Sequence, residues 1–331
     1  MTSSQSKVRW GVLGYAKIAR EQLIPAIKRS TNSEFYAIAS RDNAKLKECT
    51  DKFGSVKTYL GYDELIKDPL VDAVYIPLPN ALHKEWVIKA AKAGKHVLCE
   101  KPLGLNANEC AEMIACCESQ HVKFMEAFMY RYTQRTKKVM EILRSGVLGE
   151  IKFINSHFRF LLTNPASIKL KPELGGGSLY DVGCYPINFT GMVADFVEGG
   201  AVAGSAIPEH YTAMFTMQGG VDMLFSGILK YKSGLIASIN SGFNAQKKVY
   251  SEIIGTLGNL EIPETFFDTT DLMYLTVGEI RTAIAVDASD RYCWEVEDFA
   301  NCIRSGREPL FSLKETHRNA LVLDKLLQLR K

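Results

Sequence analysis

The chain has 331 residues, 47% hydrophobic and 23% charged, with 40 Lys and Arg against 37 Asp and Glu. That is the composition of a soluble globular chain of about two domains, which excludes wholesale disorder, collagen-like repeats and a disulfide-stapled mini-protein. A net charge of +3 is far from the basic surplus of nucleic-acid binders, so no nucleic-acid partner is expected. The eight cysteines (Cys49, Cys99, Cys110, Cys116, Cys117, Cys184, Cys293, Cys302) have no regular spacing, and they read as reduced thiols of a cytoplasmic protein. The polar start leads straight into a strand-like run without a signal-type apolar stretch. No window reaches the ~18 consecutive apolar residues of a membrane span. His96, His121, His157, His210 and His317 show no metal-ligand spacing, so neither a membrane nor a metal is expected.

The first 126 residues alternate short β runs with helical stretches. Residues 8–13 form a strand and 18–28 a helix that Pro25 kinks or shortens. A strand at 34–40 precedes a helix capped by Asp42 and closed by Gly54. Strands follow at 71–78, 96–100 and 123–127, with helices at 82–93 and 106–119, the latter opened by Asn106 and Glu109 as a capping box. Such alternation means a parallel sheet covered on both faces. After a linking helix at 133–145, successive strands are expected at 151–160, 211–217, 221–231, 234–243, 250–255 and 259–262. Hairpin connections there favour an antiparallel or mixed sheet, flanked by helices near 181–195, 295–305 and 314–330. Tyr211, Phe215, Phe225 and Phe243 read as packing residues. The predicted division is residues 1–126 as a dinucleotide-binding domain and 127–331 as a sheet domain for substrate and oligomer contacts.

The strand at 8–13 runs into Gly14-Tyr15-Ala16-Lys17-Ile18-Ala19. The dinucleotide fingerprint is G-x-G-x-x-G/A in a strand–turn–helix setting; here Ala16 and Ala19 stand in the later positions. Gly14 permits the tight turn, Ala16 still admits a pyrophosphate, and the helix start favours an anion. The alternative is an ordinary tight βα turn. An acidic residue about 20 positions on would bind the 2′-hydroxyl of NAD, but this strand ends Ala39-Ser40-Arg41. Ser40 can donate to a 2′-phosphate and Arg41 can grip it with two hydrogen bonds, so NADP is predicted over NAD, with NAD possible. Asp42 complicates that preference, and the alternative reading of Arg41 is a solvated surface residue.

Three later segments carry the chemistry. Glu100-Lys101-Pro102 ends a strand at the carboxyl side of the sheet, where open α/β folds place ligands. Tyr75-Ile-Pro77-Leu78-Pro-Asn80-Ala-Leu-His83 makes a second loop at that edge. Gly175-Gly-Gly-Ser-Leu-Tyr-Asp181-Val-Gly-Cys-Tyr185 puts Asp181 and Tyr185 four residues apart, on one face if helical. Together with Glu126-Ala-Phe-Met-Tyr-Arg131, in this order and at these separations, the segments resemble the glucose–fructose oxidoreductase / inositol dehydrogenase / MocA family over nearly the whole chain. Many family members carry His where this chain has Tyr185. The Tyr version is similar to the branch holding glucose–fructose oxidoreductase, NADP-dependent xylose dehydrogenase, dimeric dihydrodiol dehydrogenase and some nucleotide-sugar 3-ketoreductases.

The resemblance implies an α/β chain: an N-terminal Rossmann domain and a C-terminal α+β domain with an open-faced, mostly antiparallel sheet. It also implies hydride transfer between nicotinamide C4 and a carbinol or carbonyl carbon of a sugar or related diol. Tyr and Lys have reference pKa values near about 10, and a cation beside a phenol favours phenolate. Tyr185 is therefore the expected proton donor and acceptor, with Lys101 polarising the same oxygen; the two roles are interchangeable on sequence grounds. Asp181 holds the substrate or Lys101. The turn at Gly14, Tyr15, Ala16, Lys17 and Ile18, the tip Ser40 and Arg41, and Pro77, Leu78, Asn80, His83, Glu100 and Lys101 are the expected cofactor residues. For His83 the competing reading is a helix-start residue bonded to backbone. Arg131, Arg159 and Lys169 are candidates for substrate, although related sequences often carry Arg where Lys169 stands. The rivals are a nucleotide-sugar 3-ketoreductase, which needs a larger cationic pocket for a diphosphate, and a non-catalytic cofactor-sensing regulator. A bare sheet face must be covered, so a homodimer or larger homo-oligomer is expected.

Overall fold

The structure is a computed structural model that describes residues 6–199, 203–267 and 269–330. The chain begins β1 (Val8–Leu13), α1 (Ile24–Arg29), β2 (Ser33–Ser40), α2 (Asn43–Phe53), β3 (Lys57–Leu60) and α3 (Tyr62–Lys67). It continues β4 (Ala73–Ile76), α4 (His83–Lys92), β5 (His96–Glu100), α5 (Ala107–Ser119), β6 (Phe124–Ala127) and α6 (Gln134–Ser145). Next come β7 (Ile151–Leu161), α7 (Cys184–Val197), β8 (His210–Gln218), β9 (Val221–Lys230), β10 (Ile236–Gly242) and β11 (Asn244–Gly255). The last elements are β12 (Gly258–Pro263), β13 (Leu272–Val277), β14 (Ile280–Ala285), α8 (Arg291–Ser305) and α9 (Leu313–Gln328). They gather into two compact units. One comprises Met1–Gly104, Asn108–Met129 and Asp290–Leu313; the other Leu105–Ala107, Tyr130–Ser289 and Lys314–Lys331. The units thus differ from a single break after residue 126, because a late segment returns to the first of them.

The first unit is built on a sheet of order β3-β2-β1-β4-β5-β6 with every pairing parallel. The strand order reverses between β1 and β4, and ligands of open α/β sheets bind at such a reversal, beyond the carboxyl ends of the strands. β1 is almost wholly buried, as a central parallel strand must be. Its Trp10 ring packs 5.7 Å from Phe299 on α8. α8 is held by a two-pronged Arg29–Asp290 ion pair at 2.8 Å and by Asn32 Nδ2 donating to Glu297 C=O at 2.9 Å. Asp42 caps α2 as expected, accepting from Ala44 N–H at 2.9 Å. β3 and α3 lie where no element is predicted: β3 is a mostly exposed edge strand with no apolar alternation, and α3 is only six residues long.

Glu295 on α8 is fully buried, and neither carboxyl oxygen has a hydrogen-bond partner. Burial, reinforced by the charge of Glu100, pushes its pKa well above the ordinary carboxyl value. The folded chain therefore keeps Glu295 protonated at pH values where the unfolded chain has released that proton. The unfolded state then binds fewer protons, so this group costs stability increasingly as pH rises above about 4.5. Glu295→Gln keeps the shape without the titration. It should raise Tm, with a gain that grows between pH 5 and pH 8 by up to about 1.4 kcal/mol per pH unit. Thermal melts at the two pH values check this; an equal shift at both would contradict it.

The second unit is an eight-stranded sheet of order β14-β13-β12-β11-β7-β10-β9-β8, antiparallel except for the β7–β10 pair. α7 packs on one face, against β7 and β10. Along β7 the period of two puts Ile154, Ser156 and Phe158 on the α7 side and Phe153, Asn155, His157 and Arg159 on the other. On that outer face His157 stacks on Tyr250, Arg281 lies 4.0 Å over the Tyr274 ring, and Phe153, Ile228 and Met214 are 47%, 49% and 80% exposed. β13 and β14 are further strands that the sequence reading lacks, and β14 is nearly all exposed. Phe225 pairs with Phe215 and Phe243 with Phe160 as packing rings. All eight cysteines are free, seven of them buried. Among the described residues no helix is long and apolar enough to cross a membrane, and no cluster of three or more His, Cys, Asp or Glu is placed to hold a metal.

Candidate active site

In the first unit, β1 ends at Gly14, whose φ of +109° is open to glycine and strained for other residues. Its N–H donates to Ala39 C=O at 2.8 Å, and a Cβ there would come 3.1 Å from Leu78. The turn therefore lies bare against the buried Leu78 in the loop after β4. The helix then starts near Lys17, with Arg20 N–H bonding Ala16 C=O at 3.0 Å. Ala19–Leu23 is a π-turn, and Pro25 follows at the start of α1. The wide turn takes the place of a regular ladder just where proline has no N–H to give.

Lys17 is exposed and Ile18 half-buried. Tyr15 departs from expectation: its phenol is buried without a partner, and burial raises its pKa to about 12. At the tip of β2, Ser40 is buried and its Oγ accepts from Asp42 N–H at 3.1 Å. Arg41 is exposed, 5.9 Å over the Tyr62 ring. Asp42 is committed to capping α2.

His83 needs a correction as a cofactor residue. It is fully buried, with Nδ1 3.0 Å from Pro102 C=O and Nε2 2.8 Å from Leu78 C=O. Burial lowers its pKa. It ties the β4 loop to the segment after β5 and presents no atom to a ligand; the backbone-bonded reading is the right one. Asn80 opens a short 3₁₀ turn, Asn80–Leu82, and is half-buried. At the end of β5, Glu100 accepts a hydrogen bond from Tyr75. Lys101 is half-buried, and the Lys101–Pro102 peptide is cis. These residues fit a phosphorylated dinucleotide. Gly14 offers a bare Cα beside a helix start, the setting that accepts a diphosphate, and the β2 tip offers a guanidinium in place of a carboxylate.

In the second unit, Gly175–Gly177 leads into a second π-turn, Leu179–Gly183, and then α7. Asp181 lies in the turn and Tyr185 on the first turn of α7, with Pro186 next. A π-turn has wider loops than an α-turn, so a separation of four still leaves Asp181 and Tyr185 on one side. Asp181 forms an ion pair with Lys169, whose Nζ also lies 5.6 Å from the Phe160 ring. Tyr185 is 6% exposed, and its ring packs among Tyr130, Phe158 and Phe266 at centroid distances of 6.1, 5.3 and 5.2 Å. Tyr130 in turn donates to Asn188 Oδ1, one turn along α7. These surrounding residues are absent from the sequence-derived site. Tyr130 lies inside a motif singled out there, so its place was accessible; Phe158 and Phe266 carry no local mark.

Two substrate candidates are corrected. Arg131 is bound to Glu315 Oε1 at 2.9 Å, with side chains 10% and 2% exposed, and reaches Asn188 at 3.4 Å. It is a structural ion pair. Arg159 lies on the outer face of β7, one residue out of phase with Phe158, and so points away from Tyr185.

Residues 8–128 match the family described as "Oxidoreductase family, NAD-binding Rossmann fold", and residues 136–261 match the "GFO/IDH/MocA C-terminal domain". The chain belongs to the GFO/IDH/MocA oxidoreductase family. Its relatives include D-xylose 1-dehydrogenase (NADP(+)) 2 of Haloferax volcanii, 38% identical over 312 residues that cover 93% of this chain and 92% of that one. Trans-1,2-dihydrobenzene-1,2-diol dehydrogenase of Xenopus tropicalis is 29% identical over 331 residues, 97% of each. A 3-ketoreductase from Actinomadura kijaniata, crystallised with NADP and TDP-benzene, superposes with a TM-score of 0.89 at 27% identity over 98% of each chain. As a GFO/IDH/MocA member the protein is an NAD(P)-dependent oxidoreductase, with the Rossmann-like and mostly antiparallel sheets of that family.

Proposed function

We propose that the protein is an NADP-preferring dehydrogenase/reductase that interconverts a CH–OH group and a carbonyl on a small, uncharged sugar or related diol. The observation that carries this reading is Tyr185, held in an aromatic cage four residues after Asp181, which is itself paired with Lys169. A phenol so fixed serves proton exchange, and a paired carboxylate serves to orient a hydroxyl-bearing substrate. Bound NADPH supplies the hydride, and NADP accepts it in the reverse direction. Tyr185 gives its proton to the carbonyl oxygen as charge develops there, and takes it back in oxidation. The Lys101 ammonium stabilises that charge and favours the phenolate left behind. Asp181, oriented by Lys169, accepts a hydrogen bond from a neighbouring substrate hydroxyl.

The cations also speak to substrate class. Of the three candidates for a diphosphate, Lys169 is paired with Asp181, Arg131 with Glu315, and Arg159 lies on the opposite sheet face. That favours a free sugar over a nucleotide-linked one. The test follows NADPH absorbance against free sugars and keto-sugars, cyclic diols and a TDP-linked keto-sugar. Turnover confined to the TDP-linked compound would overturn the substrate class. Binding without turnover across the panel would favour a regulator.

The NADP preference rests on Arg41 and on the name and NADP complex of the relatives above. Charge-assisted hydrogen bonds are worth about 1.5–3 kcal/mol, so Arg41→Ala should raise KM for NADPH about tenfold or more and leave KM for NADH unchanged. Equal constants for both cofactors, unaffected by the substitution, would contradict it. The outer sheet face with Phe153, Ile228 and Met214 supports a homodimer; sedimentation as a monomer at micromolar concentration would exclude that. Eight free cysteines fit a reducing compartment such as the cytoplasm.

A further inference from the structure

The glycine-rich segment before α7 is gripped from beneath by a carboxyl group outside the motif. Asp222, the second residue of β9, is fully buried in a strand otherwise apolar at its start, Val221-Asp222-Met223-Leu224. Its Oδ2 accepts from Leu179 N–H at 2.8 Å and from Ser178 Oγ–H at 2.7 Å. Ser178 Oγ is also 2.9 Å from Ser241 Oγ on β10. Ser178 is fully buried and Ser241 nearly so. Gly177 has a φ of +120°, and a Cβ on it would collide with Asp222 Oδ1; the last glycine of the triplet is the opening through which the carboxyl reaches the turn. Asp222 Oδ1 has no partner of its own. Burying a carboxyl costs free energy that two donors only partly offset. Burial accordingly raises its pKa while the Ser178 and Leu179 donors pull it down. A valine or threonine would fill this place in a strand at less cost, so the carboxyl answers to what it holds.

What it holds is the first residue of the π-turn that carries Asp181 and delivers Tyr185. Leu179 follows the buried glycine triplet by way of Ser178, and its amide is one of the open donors at any helix start. We propose that Asp222, with Ser178 and Ser241, is a positioning residue that fixes the entry angle of this turn and thereby the placement of the Tyr185 hydroxyl. The inference rests on the assignment of proton exchange to Tyr185. Catalytic geometry tolerates little error, and a shift of about 1 Å costs up to about 100-fold in rate.

The experiment compares Asp222→Ala, Asp222→Asn and Ser178→Ala in the full chain, each alone and with Tyr185→Phe. Active sites are counted by NADPH fluorescence titration, so that kcat is expressed per folded site. Asp222→Ala should lower kcat at least about tenfold with KM for the sugar and affinity for NADPH within about twofold of the parent. Asp222→Asn, whose amide oxygen still accepts from Leu179, should recover most of that loss. In the Tyr185→Phe background Asp222→Ala should cost nothing further, because both act through one hydroxyl. Ser178→Ala carries the same test, with a smaller loss, if Asp222→Ala does not accumulate as folded protein. An unchanged kcat per site in both Asp222→Ala and Ser178→Ala, or a full additional loss in the Tyr185→Phe background, overturns the proposal. A Tyr185→Phe enzyme as active as the parent would instead overturn the assignment of the proton to Tyr185, a result read from that variant alone.

Discussion

Tyr185→Phe should lower kcat and kcat/KM together by about 10²–10⁴-fold, the contribution of one positioned acid–base group. The substitution removes a single oxygen. The ring remains among Tyr130, Phe158 and Phe266, so the fold and the affinity for NADPH should be retained. KM for the sugar should change little, because the proton is exchanged in the transition state and not in the bound ground state. Residual turnover reports what Lys101 does alone. Steady-state kinetics with NADPH and the best substrate of the panel check this. A loss below about tenfold would remove Tyr185 from the chemistry, and a much deeper loss in Lys101→Ala would transfer the principal proton role to the amine.

Arg131→Met should cost about 3–5 kcal/mol of stability, the usual penalty for removing one partner of a buried ion pair. Glu315, almost completely buried, would lose its guanidinium partner. The Asn188 side chain, which receives both Arg131 and the Tyr130 hydroxyl, would lose one of its two donors. The folded fraction should keep KM for the sugar within about twofold, since Arg131 is engaged with Glu315. The double substitution Arg131→Met with Glu315→Met should regain most of the stability, because an apolar pair of similar volume replaces the buried charges. Urea unfolding checks the first statement and KM the second. A large rise in KM with unchanged stability would return Arg131 to the substrate.

The parts of this protein that could be read from its sequence are those where local pattern and chemistry coincide. β1, the Gly14 turn and Asp42 as a cap follow from a buried run, a glycine and an oxygen in the right order. β3 and β14 did not follow, since strands exposed on both sides lose the alternation that betrays a strand. Arg159 was misplaced by parity: β7 has apolar residues at both odd and even positions, so nothing local says which set meets α7. The partner of Arg131 lies 184 residues away and leaves no trace near it. His83 was open to two readings, and burial decided between them. α8 belongs to the first unit through contacts such as Arg29–Asp290, which pair residues from opposite ends of the chain. Asp222 was visible as an acid in an apolar strand, but its meaning needs the turn it touches.

Both helices that open on the expected working ends of this enzyme begin with an extra residue looped out ahead of a proline, at Ala19–Leu23 and at Leu179–Gly183. Such a loop decouples what lies before it from the helical frame that follows. Ala19, Leu23, Leu179 and Val182 are all buried, so the offset is locked by the same core that holds the bodies of α1 and α7. Each wide turn is thus a fixed change of phase, set by core packing, between a glycine-bearing segment and the helix behind it.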